Sequence, residues 1–339
     1  MIVLRPIKQG DLEDFVGLSE LASIGLTSLP KDRHLLEKKV VHSMASFHKQ
    51  VDVPRDELYL FALEENHRII GISAIAASTG GEPLYFYKRE LLKTASALPS
   101  VVKEIPVLAP VSYIRGPSEL CSLFLHPNVR HHGLGRLLSF GRFLFIAKFP
   151  ERFTNSFFAE LRGVIENGIS PFWEGVGKHF FTQPLKEALE MLHTSRKFVG
   201  HFLPKYPIYI NLLPNAVQQV IGKTHPHTQP ALNMLLEQGF SISDDVDVFD
   251  AGPKIRAIKN DIHAVAHSQV LEIAGIDDTL TETDMLIANE RLDFRATITA
   301  CKKNEMGKLL ITQETANALL LDIGDSVRLY PLHPHKATS

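Results

Sequence analysis

The chain has 339 residues, 45% hydrophobic and 22% charged, with 36 Lys+Arg against 38 Asp+Glu. That length suits one large or two medium domains, and the balance excludes both a disordered chain and a dedicated nucleic-acid binder. With 21 Gly and 20 Pro, collagen-like and low-complexity classes are excluded too. Ile2 to Arg5 reads as a strand closed by Pro6, and Asp11 to Leu21 as a helix with Asp11 in its first turn. Gly25-Leu-Thr-Ser-Leu-Pro30 is a loop, and Lys31 to His48 is a charged amphipathic helix. The β-type runs Leu58 to Leu63 and Arg68 to Ala77 flank the polar turn Glu64-Glu-Asn-His67, a hairpin pattern. The polar region from Thr79 to Pro117 has weak periodicity and carries one expected helix, Lys88 to Ala97.

Ser118 to Leu125 predicts a mostly buried strand, followed by an apolar helix from Arg136 to about Phe149 and a strand from Phe157 to Arg162. Ser170-Pro-Phe-Trp173 is a helix start, with Pro171 suited to the first turn and Trp173 expected to pack that helix on the sheet. Residues 185 to 250 continue as αβ structure, with a helix from Ala231 to Gln238 that stops at Gly239 and a strand from Val246 to Phe249. From Lys254 onward, short β runs alternate with turns: Ala257 to Ile258, Val265 to Val270, Arg295 to Ala300, Lys308 to Thr312 and Ser326 to Leu332. Only Gln313 to Leu321 looks helical there, and the tail from Pro334 is expected to fray. The class is α+β (mixed α/β): a core over 1–184, an αβ extension over 185–253 and a small β-rich module over 254–339.

Cys121 and Cys301 lie far apart, outside any C-x-x-C pair. A disulfide framework and a thiolate zinc site are excluded, no metal is expected, and a reducing compartment is the natural setting. Cys121, in mid-strand, reads as inert packing. The opening Met1-Ile-Val-Leu-Arg-Pro6 lacks signal-peptide features, and the apolar stretch Leu137 to Phe149 is broken by Arg142 and Lys148. A cytoplasmic protein without membrane or nucleic-acid partners is expected.

The sharpest chemical feature is the strand 118–125 followed by Arg130-x-x-Gly133-x-Gly135 and a helix. Two glycines let a ligand approach the backbone, and the first amides of the helix lack intrahelical acceptors at the positive end of its dipole. This is an anion cradle suited to a pyrophosphate. Arg130, His131, His132 and Arg136 add local positive charge. A dinucleotide fold places such glycines after its first strand, and here they follow the fourth.

The order strand-helix-helix, hairpin, strand-[RQ]-x-x-G-x-[GA]-helix resembles the GNAT acyltransferase superfamily. More specifically, the chain resembles the bacterial arginine N-succinyltransferase family through segments in order from residue 4 to 253. They include Leu4-Arg-Pro6, Gly25-Leu-Thr-Ser-Leu-Pro30, Ser118-Glu-Leu-Cys-Ser-Leu-Phe-Leu125, Arg162-Gly-Val-Ile165, His225-Pro226 and Phe249-Asp-Ala-Gly-Pro253. The stretch 79–117 departs most from the family pattern. The resemblance implies a GNAT-type sheet flanked by helices, no permanently bound cofactor, and succinyl-CoA as co-substrate. It implies transfer of succinyl to the α-amino group of L-arginine, opening a route of arginine catabolism to glutamate and succinate. Self-association is left open.

The resemblance places the acyl-CoA contact on Leu123, through its main chain, and the proton donor on His225, with His227 as its rival. Arg130, Gly133 and Gly135 form the cofactor-binding turn. Glu119, Glu160 and Arg162 are candidates for the charged ends of the substrates, each also readable as a strand-edge charge. Two other readings are an ornithine-preferring succinyltransferase and a non-catalytic acyl-CoA-binding regulator.

Overall fold

Local sequence sets the first elements of the computed structural model, which describes residues 1–95, 102–130, 133–281 and 285–332. After β1 (Val3–Pro6) comes α1 (Leu12–Leu21), then α2 (Arg33–His48), which starts where Asp32 accepts a hydrogen bond from the Leu35 amide at 3.0 Å. β2 (Leu58–Glu65) and β3 (Arg68–Ala76) are joined by Asn66 and His67, both with left-handed φ (48° and 63°), a tight turn that matches strand twist. Next come β4 (Gly80–Ala95), β5 (Val102–Arg115), β6 (Ser118–Leu125), α3 (Leu134–Lys148) and β7 (Ser156–Glu160). Ser170 caps α4 (Pro171–Gly175) by accepting from the Trp173 amide at 3.2 Å. There follow α5 (Leu185–Met191), α6 (Lys197–Phe202), β8 (Ile208–Tyr209), α7 (Asn215–Val220), α8 (Gln229–Glu237), β9 (Ser241–Asp247) and β10 (Pro253–Ile258). The last part holds α9 (His263–His267), β11 (Gln269–Ile276), β12 (Met285–Asn289), β13 (Ala296–Thr299), β14 (Cys301–Lys303), β15 (Leu309–Ile311), α10 (Gln313–Leu319) and β16 (Ser326–Pro331).

Among the described residues the strands form one large sheet, ordered β14-β15-β11-β16-β12-β13-β1-β2-β3-β6-β7-β10-β9-β4-β5-β8. This bears out a mixed fold with a sheet between helices. Helix α3 is the core of one face: Leu137, Leu138, Phe140 and Phe145 pack against Tyr59, Phe61, Leu120 and Phe157. Helices α1 and α2 cover the other face, where Phe15, Leu36 and Val40 meet Leu60, Ala62 and Ala74. Arg142, buried inside α3, donates to the carbonyls of Ser139 and Ala74 and to Ser139 Oγ, each at 3.2 Å. Trp173, 1% exposed, stacks on Phe249 at 5.6 Å.

Two expectations fail. Residues 88–95 are not helical but extend β4, which pairs with β5 from Leu84↔Tyr113 to Ala95↔Val102; residues 96 and 97 lie outside the described set. The Lys, Glu and Leu of this stretch favour helix locally, and the long-range partner strand overrides that preference. Residues 265–267 belong to α9, whose Ala264 is fully buried, and the strand begins only at Gln269. The expected frayed tail, Pro334 to Ser339, lies outside the described residues.

Candidate active site

The site is built on β6. Its pairing with β3 runs from Glu119↔Ala76 to Leu125↔Gly71, but between Cys121 and Phe124 it has one more residue than β3 has between Ala74 and Ile72. The surplus is taken up near Ser122, whose φ of 53° is left-handed, so β6 carries a bulge. The loop before α2 fixes that bulge. Ser122 N–H donates to Ser28 Oγ at 2.9 Å, and Ser122 Oγ donates to the Ser28 carbonyl at 3.1 Å.

On its other side β6 runs parallel to β7 only at Ser118↔Phe157 and Glu119↔Phe158, whereas β7 stays paired with β10 along its whole length. Past Glu119 the two strands part and leave a wedge. His126 N–H reaches the Ile70 carbonyl of β3 at 2.9 Å. Backbone groups alternate along a strand, so those of Leu123 and Leu125 face the wedge. The Leu123 side chain packs toward α3, so it offers the wedge main chain only. Arg130 Nε donates to the Leu125 carbonyl at 3.2 Å, and its guanidinium lies 5.8 Å from the Phe124 ring centre.

Gly133 caps α3 at φ 76°, ψ 1°, without a side-chain cap bond. The amides of Arg136 and Leu137 return to the Gly133 carbonyl at 2.8 and 3.0 Å. Those of Leu134 and Gly135 have no intrahelical acceptor. A Cβ on Gly133 would meet Ile298 Cδ1 at 3.5 Å, and one on Gly135 would meet Met234 Cε at 3.8 Å. Both are ordinary contacts, so Gly133 is demanded by its backbone angle and not by space. Arg136 turns away to Glu237 at 3.2 Å. His131 and His132 lie outside the described residues.

His225 stands between α7 and α8 and docks just beyond β7, where its N–H donates to the Arg162 carbonyl at 2.9 Å. Its Nδ1 accepts from the His227 amide at 3.1 Å, which puts the neutral ring's proton on Nε2. Burial, Arg162 and His227 hold the ring below its ordinary pKa, with the Ile165 backbone opposing them. His227 is exposed. Helix α8 follows at once and packs Met234 and Glu237 on the start of α3. Helix α8 thus ties the His225 loop to the start of α3, the helix that follows β6.

Arg162 anchors a loop: it donates to Ser23 Oγ at 2.8 Å and to the Ile165 carbonyl. Gly25, at φ 100°, packs so close to Arg162 that a Cβ would meet its Cγ and Cδ at 3.2 Å. With Ser28 on β6 and Ser23 on Arg162, this loop spans both arms of the wedge. Glu119 and Glu160 lie on the face opposite α3. Burial, Glu119 and Asp247 push the Glu160 carboxyl up to about 8, against the pull of Arg196. Burial pushes the Cys121 thiol up to about 12, which keeps it from acting as a nucleophile near neutral pH. Sequence reasoning missed Ser28, Asp247, Arg196 and Lys39, because tertiary contacts alone bring them here, and it missed the grip of Ser28 on Ser122. For Ser28 the one signal was the segment Gly25 to Pro30.

Comparison with known proteins covers nearly the whole chain. A family model described as arginine N-succinyltransferase beta subunit matches residues 2–264, and one for its C-terminal domain matches residues 269–331. The Pseudomonas aeruginosa arginine N-succinyltransferase subunit beta is 39% identical, with 99% of each chain covered. The Enterobacter sp. arginine N-succinyltransferase is 37% identical, with both chains fully covered. The solved structure of arginine/ornithine succinyltransferase subunit AI from Pseudomonas aeruginosa aligns at a TM-score of 0.90 and 33% identity, covering 98% of this chain and 99% of that one. Sequence and backbone agree from end to end, and the chain belongs to the arginine N-succinyltransferase family of acyltransferases.

Proposed function

We propose that this chain transfers a succinyl group from succinyl-CoA to the α-amino nitrogen of L-arginine, releasing CoA and N2-succinyl-L-arginine. The observation that carries this reading is the parting of β6 from β7 beside the glycine-capped start of α3. The pyrophosphate of CoA sits on the Leu134 and Gly135 amides, with Arg130 alongside. The pantetheine arm enters the wedge, and the main chain at Leu123 aligns the thioester and its developing oxyanion. The amine attacks the thioester carbonyl, forming the C–N bond, and the C–S bond breaks. The amine's proton leaves to solvent, and His225, protonated from solvent to the imidazolium, gives its Nε2 proton to the departing thiolate and returns to the neutral ring. Cys121 and Cys301, both free, suit a cytoplasmic setting, and among the described residues no helix is long and apolar enough to cross a membrane.

CoA release, followed with arginine and ornithine as acceptors, tests the reading. Arginine-dependent release is expected in the wild type. His225→Ala should slow turnover about 10²–10⁴-fold with the KM for succinyl-CoA nearly unchanged. Tight succinyl-CoA binding without release on any amino acid would instead identify a regulator, and unchanged turnover in the variant would remove His225 from the reaction.

A further inference from the structure

Deep charges in proteins are ordinarily paired, and most here are. Arg5 meets Asp11 and Glu64, Lys254 meets Asp245 at 3.1 Å, Lys49 meets Glu57, and Arg152 donates to Tyr59 and to carbonyls. One cluster departs from this. The carboxylates of Glu119 and Glu160 and the guanidinium of Arg196, between α5 and α6, feel one another's charge yet have no hydrogen-bond or ion-pair partner among the described residues. None of their charged atoms is sealed from solvent, although all three residues are at most half exposed. They therefore share a partly buried recess whose charged atoms solvent reaches.

Register defines that recess. Glu119 is level with Phe158, so Glu160 projects from the same face two residues further along the adjacent strand. Their Cα atoms are about 8 Å apart, a gap suited to a planar group held between two carboxylates. Leu120, Phe157 and Ala159 point the other way, into the α3 core. The recess thus lies across the sheet from the anion turn, at the root of the wedge. Asp247 adds a third carboxylate, its Oδ1 accepting from the Phe249 and Asp250 amides at 2.7 and 3.0 Å. Lys39, on the Ser28 carbonyl, adds a second cation. With all five groups ionised, the state that an entering cation favours, three acids against Arg196 and Lys39 leave one net negative charge, the complement of an amino acid with a cationic side chain.

We propose that Glu119 and Glu160 determine acceptor specificity by clamping the cationic end of the acceptor's side chain, with Arg196 turned to its carboxylate. This rests on the transferase reading above. A guanidinium offers planar, paired donors that match two carboxylates better than an ammonium does, which makes arginine the preferred acceptor.

The test compares wild type with Glu119→Gln and Glu160→Gln, which keep side-chain shape and remove charge, in steady-state kinetics with arginine and with uncharged norvaline. The expected result is an arginine KM raised about 10- to 100-fold, an unchanged KM for succinyl-CoA, and a collapsed preference for arginine over norvaline. An unchanged arginine KM, or equal losses of kcat with both acceptors, would overturn the proposal. So would a rise in the succinyl-CoA KM in place of the arginine KM, which would assign the cluster to the succinyl end. Calorimetric titration of arginine into the CoA-loaded protein separates this from the transferase reading. Binding lost in the Gln variants upholds the clamp even where wild type turns out not to transfer succinyl, and wild type that binds no arginine refutes it.

Discussion

Glu160 shows how a residue can serve a site at the expense of the empty fold. Burial beside Glu119 and Asp247 raises its folded pKa from the ordinary carboxylate value of 4.5 to about 8. Between those two values the unfolded carboxyl has released its proton while the folded one keeps it. Stability therefore falls as pH rises through that window. Glu160→Gln removes the penalty, so the ligand-free variant is expected to melt above wild type at pH 8, by about 1 kcal/mol or more, with the gap closing toward pH 5. Thermal melts at the two pH values check this, and a gap that does not depend on pH would refute the buried-acid account. His225 behaves differently: its shift leaves the ring neutral near pH 7, so it takes up a proton from solvent before it can give one. Both residues could be named from sequence, because a His-Pro pair and strand-borne acids are visible there. Their electrostatic neighbours could not, since Asp247, Arg196 and Lys39 arrive from β9, the α5–α6 link and α2.

At the level of elements, the strand-turn-helix unit 118–148 divides its labour between the two glycines. Gly133 holds a left-handed angle, and a Cβ there would make only an ordinary contact with Ile298. Gly133→Ala is therefore expected to cost about 1–2 kcal/mol of stability through backbone strain and to distort the amides behind it, weakening succinyl-CoA binding. Gly135 has no such angle and only an ordinary contact waiting for its Cβ, so Gly135→Ala should fold as wild type and weaken binding only by crowding the phosphates. Melting curves and succinyl-CoA titrations of the two variants check this contrast, and equal stability losses would contradict it. The glycine spacing and the helix were legible in the sequence. The bulge at Ser122 was not, because it exists only through the unequal count against β3 and the grip of Ser28. The β4–β5 hairpin was misread for a related reason, its strand state being fixed by a partner outside any local window.

For the molecule as a whole, one face of β12, β13 and β16 belongs to the main core, while the other face of β12 and β16 packs with β11, β15 and α10 in a cluster of its own. β13 pairs with β1 through Leu4↔Ala296, Phe294 packs on Phe61 and Phe145 with ring centres 5.8 and 5.3 Å apart, and Tyr330 meets Phe140. A chain cut after residue 268 would leave one side of β1 unpaired and uncover these aromatic rings. It is expected to be insoluble or to melt far below the full chain. Soluble expression with a cooperative melt near that of the full chain would contradict this.

The sequence by itself determined the elements on either side of the glycine-capped turn, that turn, the His-Pro loop and the family, because each is written in residues close along the chain. Only the tertiary structure decided where β6 and β7 separate, which loop spans the gap, and which charges share a recess. Those depend on register and on contacts between residues as far apart as Ser28 and Ser122, which no local pattern encodes.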